Sequence, residues 1–284
     1  MNSRLLATCL AACAVLTSHS IAGTLPATVP TGPAPPVLML GEVHDNAVQH
    51  ALRLKAFEDL LATGAKPALL MEQFDRERQA DIDKARAAPL RPDADAIIQA
   101  GGASKGWNWD FYRPFIALAL ANDLPIVAAN VSRRDAQRVM TGGLAPSGFE
   151  PEVPADIAQA HTDEISASHC GMVDAATARR MATAQAARDQ FMAREIEANA
   201  ARGVVLLAGN GHVRKDTGVA RWLSPATRAR STAVGFLEEG DPNAAAFDRV
   251  TFTPAQTRED PCAAMRRGAP MGAMGAPGAA SGPG

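Results

Sequence analysis

Two histidines in this chain close the same four-residue pattern. Gly41-Glu42-Val43-His44 and Gly209-Asn210-Gly211-His212 both read G-x-x-H. A glycine lets the backbone turn sharply and approach a ligand closely, and each histidine then faces whatever lies at the turn. Glu42 and Glu72 are the acidic residues that accompany them. His44, Glu72 and His212 form an N/O ligand set that suits Zn, Mn or Fe(II) better than a thiolate-selecting metal. Glu42, His44, Glu72 and His212 also suit catalytic acid–base work, because imidazole titrates in the useful range and a carboxylate in a dry pocket is raised toward it. A purely structural role is the alternative, with Glu42 or Glu72 capping a helix or pairing with Arg133 or Arg134.

These residues follow short apolar runs. Val37-Leu38-Met39-Leu40 precedes the first pattern, Ala68-Leu69-Leu70-Met71 precedes Glu72-Gln73, and 125–129 precedes Asn130-Val131-Ser132-Arg133-Arg134. The run 203–208 precedes the second pattern. Runs without polar alternation predict strands buried on both faces. Helical spacing lies between them, over about 47–62, 76–87, 111–121, from 133, over 175–201 and near 216–223, where Asp216 is a candidate N-cap. Segments 231–236 and 249–252 read as closing strands. Strands alternating with helices predict an α/β fold, a mostly parallel central sheet flanked by helices. The longer segments 73–110 and 142–175 predict a small inserted helical subdomain, placed as a lid. Ligands of such a sheet bind beyond the carboxyl ends of its strands, where all four polar clusters fall.

The 284 residues are 47% hydrophobic with a net charge of −2. The lack of basic excess argues against nucleic acid as a partner. Residues 1–22 read as a signal peptide with Arg4 ahead of an apolar stretch too short to span a bilayer. Cleavage after Ala22 is one reading. Lipidation at Cys13, in the lipobox-like Leu10-Ala11-Ala12-Cys13, is the other, and a lipid anchor is then the expected link to a membrane. Residues 23–36 read as a linker, 37–267 as one α/β domain and 268–284 as a disordered Gly/Ala/Pro tail. Cleavage leaves Cys170 and Cys262, either a disulfide, as an exported chain favours, or two unpaired thiols.

Longer motifs carry a family resemblance. G-E-V-H-D-N with His50, M-E-Q-F with Gln79, W-N-W-D-F-Y-R-P and A-G-N-G-H-V-R-K-D-x-G-V resemble the ChaN-like haem-binding uptake family. Gln185-x-x-Arg188-Asp189-x-x-Met192-Ala193, His169-Cys170-Gly171-Met172 and Asp260-Pro261-Cys262 are similar to it as well. The likeness runs over roughly residues 37–262, and the paired G-x-x-H with a glutamate also resembles the wider Tiki and TraB group and the erythromycin esterases.

The resemblance implies an exported protein of the periplasm or outer surface, often a lipoprotein, that binds haem in iron uptake and forms a homodimer. Tyr112, the chain's one tyrosine, is then a candidate iron ligand, with core-edge packing as its alternative. His50 is a further cofactor-binding candidate, and Arg133 and Arg134 are candidate clamps for a propionate or another carboxylate. His161 and His169 are weaker candidates. The wider group implies the alternative, a metal-dependent hydrolase of peptide or ester bonds acting on a small-molecule or peptide ligand.

Overall fold

The computed structural model of the chain describes residues 35–90 and 92–266. The expected signal peptide, the lipobox, most of the linker and the tail lie outside the described residues. Strands β1 (Val37–Leu40), β2 (Ala68–Asp75), β3 (Ile126–Asn130), β4 (Val204–Leu207), β5 (Ser231–Glu238) and β6 (Arg249–Thr253) form one sheet. Its order is β3-β2-β4-β1-β5-β6, and every pairing is parallel. The helices are α1 (Ala47–Ala62), α2 (Gln79–Arg86), α3 (Ala94–Ala100), α4 (Trp109–Ala121), α5 (Arg133–Gly142), α6 (Ala155–Ser168), α7 (Ala175–Asn199), α8 (Asn210–Val213), α9 (Pro225–Ala229) and α10 (Pro261–Arg266). Among the described residues no helix is long and apolar enough to cross a membrane.

The strands are apolar throughout because both sheet faces are covered. Leu38 and Leu40 of β1 join Phe57 and Leu60 of α1 and Phe115 of α4 in one core cluster. Val37 and Met39, pointing the other way, join Met192 and Ile196 of α7 and Val219 in a second. The connections from β1 and β2 run toward the β3 edge over the first face. Those from β3 and β4 run back toward β6 over the second. Strand β4 therefore sits between β2 and β1 but sends its chain to the opposite side of the sheet. Such a reversal opens a crevice at the carboxyl ends of these strands, where α/β sheets bind ligands.

The expected α/β fold with a mostly parallel sheet is present, the sheet being parallel at every pairing. The sequence reading differs from the structure in three places. Strand β2 continues to Asp75, so Glu72 and Gln73 stand on the strand rather than after it. The expected helix at 216–223 is replaced by a 3-10 turn at Val219–Trp222, and Asp216 bonds Arg214 instead of capping. The inserted helices are present but occupy two places. Ile82 of α2 and Ile97 of α3 pack on the α4 face, whereas α6 packs along α7 through Ile165, Ala178 and Ala182. Cys170 and Cys262 form a disulfide, joining the turn after α6 to α10.

Candidate functional site

The first G-x-x-H turn leaves β1 and is tied at once to its neighbours. The Gly41 N–H donates to the Val234 carbonyl at 2.8 Å, and the Asn210 N–H of the second turn donates to the Glu42 carbonyl at 3.0 Å. Asn46 caps α1 by accepting from the Gln49 N–H, and this brings Gln49, His50, Arg53 and Phe57 to the buried side of the helix. The Glu42 carboxylate is buried and is the hub of this half. It pairs with His44 Nδ1 at 2.6 Å, accepts from the Tyr112 hydroxyl at 2.5 Å and forms an ion pair with the fully buried Arg53. Arg53 also donates to the Leu40 carbonyl at 3.0 Å. Burial lowers its guanidinium to about 10, still protonated at neutral pH. Burial likewise pushes the His44 imidazole down, with Glu72 opposing; in the neutral ring the Nδ1–H is the one that donates to Glu42. The other nitrogen, Nε2, then carries the lone pair.

The second turn is built in parallel. His212 Nδ1 lies 2.6 Å from Asp189 Oδ1, and Asp189 is buried on α7. Behind Asp189 stands His161 of α6, 3.4 Å from Oδ2. His212 Nε2 lies 3.7 Å from Glu72 Oε1. Burial alone would lower His212, but the Asp189 and Glu72 carboxylates overcome it and raise the ring to about 9. The two turn imidazoles are thus shifted in opposite directions.

Glu72 joins the halves. Burial would raise its pKa, but His212, His44 and the Gly209 N–H, which donates to Oε2 at 2.8 Å, hold it low. Gly209 has an extended backbone, φ −62° and ψ 152°, that any residue adopts. Space is what demands glycine: a Cβ there would lie 3.0 Å from His44 Cε1 and 3.3 Å from Nε2. The Trp107 ring meets His44 edge-on at 4.8 Å between centroids.

Glu42, His44, Glu72 and His212 therefore cluster at the carboxyl ends of neighbouring strands, with β4 between the strands that carry the two glutamates. Tyr112 and His50 lie behind them. Tyr112 is fully buried, and burial raises its phenol well above the usual range. His50 is buried rather than solvated. It stacks on Phe111 at 4.4 Å and bonds the His44 carbonyl at 3.0 Å. Arg133 and Arg134 are exposed at the head of α5, beyond edge strand β3. The arginine paired with Glu42 is Arg53, and Arg188 is the one lending positive charge to Glu72. His169 bonds its own helix at the Ile165 carbonyl. Among the described residues, no group of three or more His, Cys, Asp or Glu side chains is placed to hold a metal ion. Sequence reasoning assigned no role to Arg53 or Asp189, the two groups that fix the charge of each half. Arg53 was signalled by its place on the Phe57–Leu60 stripe of α1, a costly position for a charge unless it is paired.

A family model described as "Haem-binding uptake, Tiki superfamily, ChaN" matches residues 34–223. Among solved structures, ChaN of Campylobacter jejuni, a structure of cofacial haem binding, is similar at a TM-score of 0.62 and 22% identity. The match covers 75% of this chain and 86% of that one, and it shows a shared fold. The type III effector HopBA1 gives 0.45 at 14% identity over 78% and 88% of the two chains. An erythromycin esterase mutant in its open conformation gives 0.44 at 14% over 85% and 81%. These two scores are too low to carry an argument. No curated protein matches. On the strength of a family model that covers well over half of it, the chain belongs to the ChaN-like haem-binding uptake family of the Tiki superfamily.

Proposed function

We propose that this chain binds haem outside the cytoplasm and serves haem or iron uptake, with the crevice at the ends of β1, β2 and β4 as its binding site. The His44–Glu42 pair carries the reading. A metal-binding imidazole needs its free nitrogen aimed outward and its other N–H fixed, commonly by a carboxylate. His44 meets the second requirement, with Nδ1 held at 2.6 Å by Glu42, and its side chain is 15% exposed. The donor set thus fits an iron porphyrin, and His44 is the group offered to the metal. When bound, haem would supply an iron able to take a protein nitrogen and two propionate anions. Tyr112 supports this arrangement from below, because its hydroxyl is committed to Glu42 and its burial disfavours the phenolate that iron would take. Arg53 pairs with Glu42, His50 braces the His44 backbone, and Trp107 lends aromatic surface beside His44. Arg133 and Arg134 stand three strand positions from β1, about 14 Å along the sheet, a span suited to clamping carboxylates at the far rim. Export is expected on residues 1–22. A homodimer and a lipid anchor at Cys13 remain part of the proposal.

Titration of the purified chain with haemin tests it. A saturable shift of the Soret band is expected, and an unsaturable, free-haemin spectrum at every ratio would remove the haem reading.

One observation favours a second reading, hydrolysis. Glu72 lies between His44, whose pKa burial lowers, and His212, whose pKa its carboxylate neighbours raise, an arrangement able to accept a proton on one side and donate one on the other. A protonated His212 must lose its proton before it can ligate a metal, so acid–base work suits this pair better than metal binding. Ester or peptide turnover that Glu72→Gln abolishes is the result this reading requires.

A further inference from the structure

The two halves of the crevice are joined a second time, by the segment that follows the sheet. After β6 the chain runs without regular structure through residues 254–260 into α10 and is exposed along most of that length. Its main anchor is Arg258. The guanidinium forks onto two carboxylates: Nε donates to Asp45 Oδ2 at 2.7 Å and Nη2 to Oδ1 at 2.5 Å. Nη1 and Nη2 donate to Glu238 Oε2 and Oε1, each at 2.7 Å. Glu238 also accepts from the Asn46 side chain at 2.9 Å and the Gln256 N–H at 3.1 Å. Asn46 donates on to the Pro254 carbonyl at 3.2 Å. Asp45 and Asn46 directly follow His44, so these bonds hold the far end of the first G-x-x-H turn.

The other end of the segment is tied to the opposite half. Cys262 is bonded to Cys170, at the turn between α6 and α7, the helices that carry His161 and Asp189. Asp189 is level with His212 at the end of β4. Fourteen further residues of α7 separate it from Ala175, about 21 Å of helix, so the tip bearing Cys170 projects well beyond the strand ends. The nine residue steps from Thr253 to Cys262 reach about 30 Å when extended, enough to bridge from the β5–β6 side of the sheet to that tip.

We infer that residues 254–262 are a redox-controlled strap: Arg258 positions the His44 turn, and the Cys170–Cys262 bond makes that positioning depend on the strap being fastened to the α6–α7 hairpin. A dithiol unfastens it by thiol–disulfide exchange. The Sγ–Sγ bond takes up two electrons and two protons to give two cysteine thiols, and the dithiol closes to its own disulfide. The strap then loses its covalent tie to the α6–α7 hairpin and is held by non-covalent bonds, among them the Arg258 forks and the Gln256 and Pro254 bonds, and the His44 turn loosens with it. The consequence for ligand affinity rests on the haem reading above.

Amide hydrogen exchange on the full chain tests the strap without reference to any ligand. The Asn46 N–H, bonded to the Val43 carbonyl at 2.9 Å, and the Val43 N–H, bonded to Gln49 Oε1 at 2.7 Å, report the turn. Reduction with dithiothreitol is expected to raise exchange at residues 43–46 and 254–262 at least tenfold. The double variant Cys170→Ser, Cys262→Ser should match the reduced protein and ignore reductant. In oxidised protein, Arg258→Ala should release 43–46 while the disulfide stays intact. Unchanged exchange at 43–46 on reduction would overturn the inference. Haemin titration then compares wild type with the double serine variant, without added thiol, since thiols themselves bind haem iron. At least tenfold weaker binding by the variant is expected. Equal affinity would refute the gating, whereas no binding by either protein would refute the haem reading and leave the strap to the exchange result.

Discussion

Glu42 meets four side chains at once, His44, His50, Arg53 and Tyr112, and its chemistry follows from that crowding. A buried carboxylate stays ionised only when paired and hydrogen-bonded. Here a fully buried arginine and a phenol do so, and the carboxylate can then dictate the tautomer of His44. Gly209 sets the other limit on that ring. Gly209→Ala leaves the backbone unstrained but pushes a methyl against His44. The variant should lose about 1–3 kcal/mol of stability from overpacking and bind haemin less tightly. Gly142→Ala is its contrast, because a Cβ there meets nothing. It sits at the end of α5 and should be neutral or stabilising by up to about 1 kcal/mol. Denaturant unfolding of both variants checks the pair, and equal losses would show that space beside His44 is not the constraint. The two glycine patterns were legible as turns at strand ends, but the partners of their histidines were not. Sequence neighbours suggested Arg133 and Arg134 for the glutamates, whereas a helix brought Arg53 from eleven positions downstream.

At the scale of elements, α7 is what turns the second histidine into a cation. Its buried stripe runs Ala178, Ala182, Ala186, Asp189, Ala193, Ile196, a helical spacing into which one aspartate has been set. The stripe is made mostly of alanine, so the apolar signal that would have marked Asp189 as inward-facing is faint. The same poverty of large side chains hid which face α6 and α7 share. Strands β1, β2, β3 and β4 were plain because runs such as Val204–Leu207 are apolar without interruption. Their order in the sheet was not, since nothing local records which strands become neighbours. Asp189→Asn keeps a hydrogen-bond acceptor for His212 but removes the charge that offsets burial. The His212 pKa should then fall from about 9 to below about 7, as followed by NMR titration of the ring. A value still near 9 would mean that Glu72 alone supplies the field.

For the whole molecule, these shifted groups set opposite limits on stability. His212 has a folded pKa of about 9, raised above its ordinary 6.5. Its contribution is complete below about pH 6.5 and is lost as pH rises through 9. His50 is lowered by burial to about 4, and His44 is lowered too. Their neutral folded forms favour folding above about pH 6.5, and that advantage is lost as pH falls below it. Stability measured in urea should therefore peak near pH 6.5 and decline on both sides. The His212→Asn variant should lose the alkaline decline while keeping the acid one. An alkaline limb unchanged in that variant would place its cause elsewhere.

The most direct test of the account is haemin titration of His44→Ala beside Tyr112→Phe, each folded by circular dichroism. If the β1–β4 crevice holds haem through the imidazole that Glu42 orients, His44→Ala loses the saturable Soret shift. Tyr112→Phe keeps it at an affinity within about tenfold of wild type, because it removes only a support beneath Glu42. Loss of the shift in Tyr112→Phe with full retention in His44→Ala would contradict the account.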